Sequence, residues 1–140
     1  MPKLVQDSGR WSGAAATALI LLGLAGCEAN RTYPVAGKVV FTDGEPVTGG
    51  LVMFEPLDQP TVCARGHIRA DGTFHLSTYK TNDGACAGRH RVLVQPPMPN
   101  NRQESQSPPI HPRFGSFDTS GLEYTVTPGK NTFTIEVERP

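Results

Sequence analysis

The most constraining feature of this chain is a series of short stretches in which apolar and polar residues alternate. Each is cut off by glycine, proline or an Asp-Gly pair. A period of two puts alternate side chains on one face of an extended strand, so each stretch can bury one face and leave the other in water. Residues 35–42 (VAGKVVFT) set Val35, Gly37, Val39 and Phe41 together. Residues 51–55 (LVMFE) pair Val52 with Phe54, and residues 88–94 (GRHRVLV) align His90, Val92 and Val94. Residues 122–127 (LEYTVT) offer Leu122, Tyr124 and Val126, and residues 132–138 (TFTIEVE) offer Phe133, Ile135 and Val137. Two more stretches, 61–69 and 73–78, flank Ala70-Asp71-Gly72. A three-residue loop with glycine in the left-handed position is a favoured hairpin connection. That register sets Ile68 opposite Phe74 and His67 opposite His75. The last two stretches, parted by Pro128-Gly129-Lys130-Asn131, read as a terminal hairpin. The expected fold is all-β with seven strands, the size of a β-sandwich.

Composition supports the same class. With 15 glycines and 13 prolines in 140 residues, turns are frequent and long helices are disfavoured. The 13 basic and 13 acidic residues balance, and no basic patch stands out, which argues against a nucleic-acid partner. The expected domain covers residues 35–140. A proline-rich loop at about 96–121 interrupts it, and residues 98–120 carry no strand or helix pattern, as expected of a disordered or loosely packed surface loop.

The amino terminus reads differently. Lys3 and Arg10 precede a charge-free run at residues 14–24 (AAATALILLGL), followed by Ala25, Gly26 and Cys27. A basic start, a short apolar core and small residues at a cleavage point are the parts of a secretory signal. The run is too short for the ~20 apolar residues that cross a bilayer. Leu24-Ala25-Gly26-Cys27 also resembles the bacterial lipobox. That resemblance implies cleavage after residue 26, a diacylglyceryl group on the Cys27 thiol and a mature protein exported and lipid-anchored to a cell-envelope membrane. The alternative is an ordinary secretory signal with an incidental cysteine. Residues 1–26 are thus the expected lipoprotein signal peptide, and residues 27–34 the lipidated cysteine with a short polar spacer.

Taken together, YPVAGKVVFTDGEPVTGGLVMFEP, ADGTFHLST, DGACAGRHRVLV and SGLEYTVTPGKNTFTIEV resemble the small planctomycete lipoproteins of the carboxypeptidase-regulatory-like, transthyretin-like family. The resemblance covers residues 33–140. It implies a seven-stranded Greek-key sandwich of the transthyretin (prealbumin) kind and carries no assigned reaction. The chain departs from that pattern at His90, where the family tends to place an inward tyrosine, and at Cys63 and Cys86, which are not usual family positions.

Few residues suggest chemistry. Cys63 and Cys86 are the cysteines other than Cys27. Disulfides persist in an exported protein, so the expectation is a Cys63–Cys86 bond, with two buried thiols as the alternative. His67 and His75 would face outward together across the hairpin, but zinc requires three or four ligands and no third is apparent; no metal is expected. Lys38, Glu55 and Asn131 invite comparison with sandwiches that form a Lys–Asn isopeptide bond, yet Lys38 falls on the water face. The chain ends Val137-Glu138-Arg139-Pro140, unlike the Tyr-Arg-Gly-Ser terminus of the transthyretin-related hydrolase. No nucleophile elbow, phosphate loop or HExxH motif occurs. The reading is a non-catalytic, cofactor-free, lipid-anchored envelope module for structure or protein interaction. The alternative is a carbohydrate-binding module, and the partner in either case is the membrane plus an envelope protein or glycan. Trp11 would be lost with the signal, leaving Tyr33, Tyr79, Phe114 and Phe117 to stack on a sugar.

Overall fold

The computed structural model describes residues 30–98 and 109–140. Among the described residues, the regular structure comprises nine strands and a short 3-10 helix. They are β1 (Thr32–Tyr33), β2 (Val35–Phe41), β3 (Leu51–Pro56), β4 (Ala64–His67), β5 (Thr73–His75), β6 (Ala85–Cys86), β7 (Gly88–Gln95), β8 (Leu122–Val126) and β9 (Asn131–Val137), with the helix at Pro112–Gly115. All seven alternating stretches contain a strand, so the all-β expectation holds. The two-residue strands β1 and β6 are additional.

The strands form a three-stranded sheet, β5-β2-β9, and a four-stranded sheet, β4-β3-β7-β8; β1 and β6 pair separately. The first long strand and the last run parallel, with Val35 opposite Asn131 and Phe41 opposite Val137. The two larger sheets meet face to face. Phe54 on β3 approaches Phe74 on β5 at 6.4 Å between ring centroids and stacks on Phe133 of β9 at 5.9 Å. Burying a side chain such as Phe54, fully inaccessible here, contributes ~1.5–3 kcal/mol. Val39, Phe41, Val52, Leu76, Val92, Val94, Ile135 and Val137 complete the same core, and all are inward positions of the period-two pattern. Gly37 permits the close approach of β2 to its neighbours, because a Cβ there would lie 2.7 Å from the Phe74 ring and run into the Phe133 carbonyl.

Two pairings differ from the expected ones. β8 and β9 are not a hairpin: β8 pairs antiparallel with β7, while β9 crosses to β2 in the other sheet. Tyr124 and Phe133 therefore meet across the gap between sheets, 5.1 Å apart, rather than within one. The β4–β5 connection has the expected register at its ends, where Arg69 N–H donates to Thr73 and Arg65 and Ser77 exchange bonds. Between those points the strands part, β4 to β3 and β5 to β2. His67 thus lies opposite Leu51, and His75 opposite Ala36, in different sheets.

The proline-rich segment is more ordered than expected where it is described. Ile110 and Phe114 are buried in the core. The His111 side chain accepts the Arg113 N–H and so caps the 3-10 helix, and the Ser120 hydroxyl donates to the Val92 carbonyl at 2.5 Å. Residues 99–108 of that loop lie outside the described residues, as do Trp11 and Cys27.

Candidate functional site

The part of the domain nearest Cys27 in sequence is a dock for the incoming chain. Thr32 and Tyr33 pair with Cys86 and Ala85, so the end of the expected spacer is held by β6. The turn before β6 is built for this. Gly84 has φ +88, a left-handed backbone, and a Cβ there would collide with the Tyr33 carbonyl. Asp83 accepts the N–H groups of Thr78, Tyr79 and Lys80 at 2.7–3.0 Å. Burial opposes its ionisation, but those three donors outweigh it and hold the carboxyl below the usual range. The Thr78 hydroxyl donates to the Gly84 carbonyl at 2.6 Å, and the exposed Tyr79 donates to Asn30.

His90 fastens the dock from below. Its side chain is fully buried, packs edge-on to Phe54 and places Nε2 2.9 Å from the Cys86 carbonyl. A carbonyl only accepts, so Nε2 carries the proton and Nδ1 is a bare lone pair. That Nδ1 is buried with no partner among the described residues. Burial in the apolar core pushes the imidazole down to a pKa of about 4, so it is neutral at pH 7.

Beside the dock is a cavity of about 190 Å³, lined by Arg31, Tyr33, Asp58, Cys86 and Arg89 among others. Arg31 lies 5.5 Å over the Tyr33 ring, and Arg89 Nε donates to Glu123 at 2.6 Å. On the outer face of the larger sheet, Arg91 bridges Glu55 at 2.7 Å and Asp118 at 2.6 Å and lies 5.8 Å from the Phe117 ring. The hydrogen bond that Arg91 donates to Glu55 is the main reason that the guanidinium is held even more firmly protonated than usual.

The expected Cys63–Cys86 disulfide is a correction: both side chains are thiols in the structure. Cys63 lies in the loop ahead of β4, with Sγ 3.5 Å from the Pro60 carbonyl, whereas Cys86 belongs to the dock. Each is tied to its own segment rather than brought to bonding distance. Partial burial raises both thiol pKa values. For Cys63 the nearby Glu55 charge adds to the rise.

The remaining candidates are dispersed. His67 and His75 are exposed in separate sheets, and the described residues contain no cluster of three or more metal-ligating side chains. Lys38 is exposed opposite Thr134, Glu55 is taken by Arg91, and Asn131 is engaged with Thr127, Gly129 and Pro34. These three are not brought together. Of the aromatics proposed for sugar stacking, Phe114 is only 1% exposed and unavailable, Tyr33 packs against the core, Phe117 is half-buried, and Tyr79 is exposed. No protein family, curated protein or solved structure matches the chain.

Proposed function

We propose that the protein is a non-catalytic, lipid-anchored module of a bacterial cell envelope, held at its membrane through Cys27. The observation that carries this reading is the dock. Cys27 precedes Thr32 by five residues, and Thr32 is already paired to β6. At ~3.3–3.6 Å per extended residue, a tether of five residues spans at most roughly 17 Å. A domain so clipped stays against the lipid surface instead of ranging on a long linker. Two acyl chains hold a protein stably where one does not, which suits a permanent envelope component.

The finer fold assignment belongs to the same proposal. The sheet orders β5-β2-β9 and β4-β3-β7-β8, with neighbours far apart in sequence, favour a Greek-key sandwich of the transthyretin-like kind, as the resemblance to planctomycete lipoproteins implies. The sandwich serves as a structural or protein-interaction module. A carbohydrate-binding role draws on fewer side chains now that Phe114 lies in the core.

The test is Cys27→Ser in the native host. The proposal expects wild-type protein in the membrane fraction, resistant to high salt, and the variant displaced from it. Equal membrane retention of the variant would overturn the anchor.

A further inference from the structure

The two sides of the sandwich are not alike. On the β4–β5 side the sheets are joined by backbone bonds: Arg69 N–H to Thr73, and Arg65 and Ser77 reciprocally at 2.8 and 2.9 Å. On the other side, the hydrogen bond recorded between β8 and β9 is from the Tyr124 hydroxyl to the Thr134 carbonyl, at 3.4 Å. β9 pairs with β2 alone and is an edge strand seven residues long.

Its ladder shows which backbone groups are spare. The Asn131 N–H donates to Pro34, and the Val137 carbonyl accepts from Thr42. In a parallel pair with Val35 opposite Asn131, the odd-numbered residues of β9 therefore bond to β2. The even-numbered residues Thr132, Thr134 and Glu136 turn their N–H and C=O groups outward. The two bonds already described at this edge agree, since the Thr134 carbonyl takes Tyr124 and the Glu138 carbonyl takes His111 N–H. The N–H groups of Thr132, Thr134 and Glu136 have no recorded partner among the described residues. Edge strands are normally blunted by proline, a bulge or an inward charge. Between Thr132 and Glu136 this one has none of them: its register is continuous, and its inward residues are Phe133, Ile135 and Val137; a loop covers it only at its end, where His111 N–H reaches the Glu138 carbonyl.

We infer that this edge pairs with the same edge of a second copy, antiparallel about a two-fold axis at Thr134. In that register Thr134 faces Thr134 of the second copy, Thr132 faces its Glu136, and Lys130 faces its Glu138. The outward N–H groups of Thr132, Thr134 and Glu136 each gain an acceptor, in about six backbone bonds; Glu136 meets a hydroxyl, and Lys130 comes beside Glu138, whose carboxylate is already paired with Arg113 at 3.0 Å. Centring the axis on Glu136 would set two carboxylates against each other. Centring it on Thr132 would push Glu136 past the partner strand to its Pro128. Thr134 is thus the one centre of correct parity that satisfies both the backbone and the charges. The result is a continuous six-stranded sheet, β5-β2-β9 joined to its copy.

Full-length Thr134→Cys, in a Cys63→Ser, Cys86→Ser background and extracted in mild detergent, tests this. Opposed residues in a bonded antiparallel pair have Cα atoms about 5.5 Å apart, within disulfide range. The expected result is a reducible covalent dimer on mild oxidation. Glu136→Cys alone, on the same edge but out of register, should stay monomeric. A mixture of Thr132→Cys and Glu136→Cys should give a dimer that neither gives alone, and it carries the test if Thr134→Cys does not fold. No dimer from folded Thr134→Cys, or equal yields from Glu136→Cys, would overturn the inference. Because the crosslink is read in detergent, its failure leaves the lipid anchor untouched.

Discussion

Acid should loosen this domain through His90. In the unfolded chain its imidazole titrates near 6.5, whereas in the fold burial holds it at about 4. Between those values the unfolded state binds a proton that the native state refuses, so stability rises with pH across this window. The contribution is fully present above pH 6.5 and is lost progressively as pH falls toward 4. A gap of about 2.5 units at 1.36 kcal/mol each comes to about 3 kcal/mol, a large share of the ~5–15 kcal/mol typical of a domain. The structural reason is the bare Nδ1: protonating it puts an unpartnered N–H and a charge into the core beside Phe54. The carboxylates act elsewhere on the pH scale. Asp43, Asp71 and Asp83 all have lowered pKa values, so their contribution is present above about pH 3.8 and lost below it. Urea melts at pH 7.5, 5.5 and 4.5 should therefore show the wild type weakening by ~3 kcal/mol toward pH 4. His90→Gln, which keeps a donor for the Cys86 carbonyl but does not titrate, should lack most of that slope. Identical slopes in the two proteins would refute the assignment to His90.

Three other outcomes follow from the geometry. Gly84→Ala should cost about 1–3 kcal/mol for the left-handed backbone alone, and because its Cβ strikes the Tyr33 carbonyl, limited proteolysis at Arg31 should accelerate. Asn131→Ala removes the acceptor for Thr127 N–H and the donor to the Thr127 and Gly129 carbonyls; a lower urea midpoint, by about 1–3 kcal/mol of stability, checks it. A thiol reagent applied without reductant to the unfolded protein should label Cys63 and Cys86 both, and in the native state at neutral pH only slowly, because their thiol pKa values are raised.

The strands were legible because alternation reports burial directly: Val39, Val52, Phe74 and Ile135 are all buried where the pattern places them. Strand partnership was not legible in the same way. Tyr124 and Phe133 point inward whether β8 and β9 pair in one sheet or face each other across two, so the period cannot separate a hairpin from a crossover. The parallel contact of β2 with β9 joins residues about a hundred positions apart and leaves no local mark. Cys63 and Cys86 formed an even pair by count, but count carries no distance. Buried polar residues were hidden for a related reason. Asn131 read as a turn residue, although its amide satisfies that turn from within. Glu55 fell on the outer face, which became sheltered beside Arg91. Phe114 sat in a proline-rich stretch that suggested exposure, yet Pro112 begins a helical turn that drives the ring into the core. The inward placement of His90 was legible; its orphaned nitrogen required the fold.

The most direct test of the central claim is mass spectrometry of the mature protein from native membranes. The account predicts an amino-terminal peptide that begins at Cys27 and carries a diacylglyceryl group. An unmodified Cys27, or a mature terminus at any other residue, would contradict it.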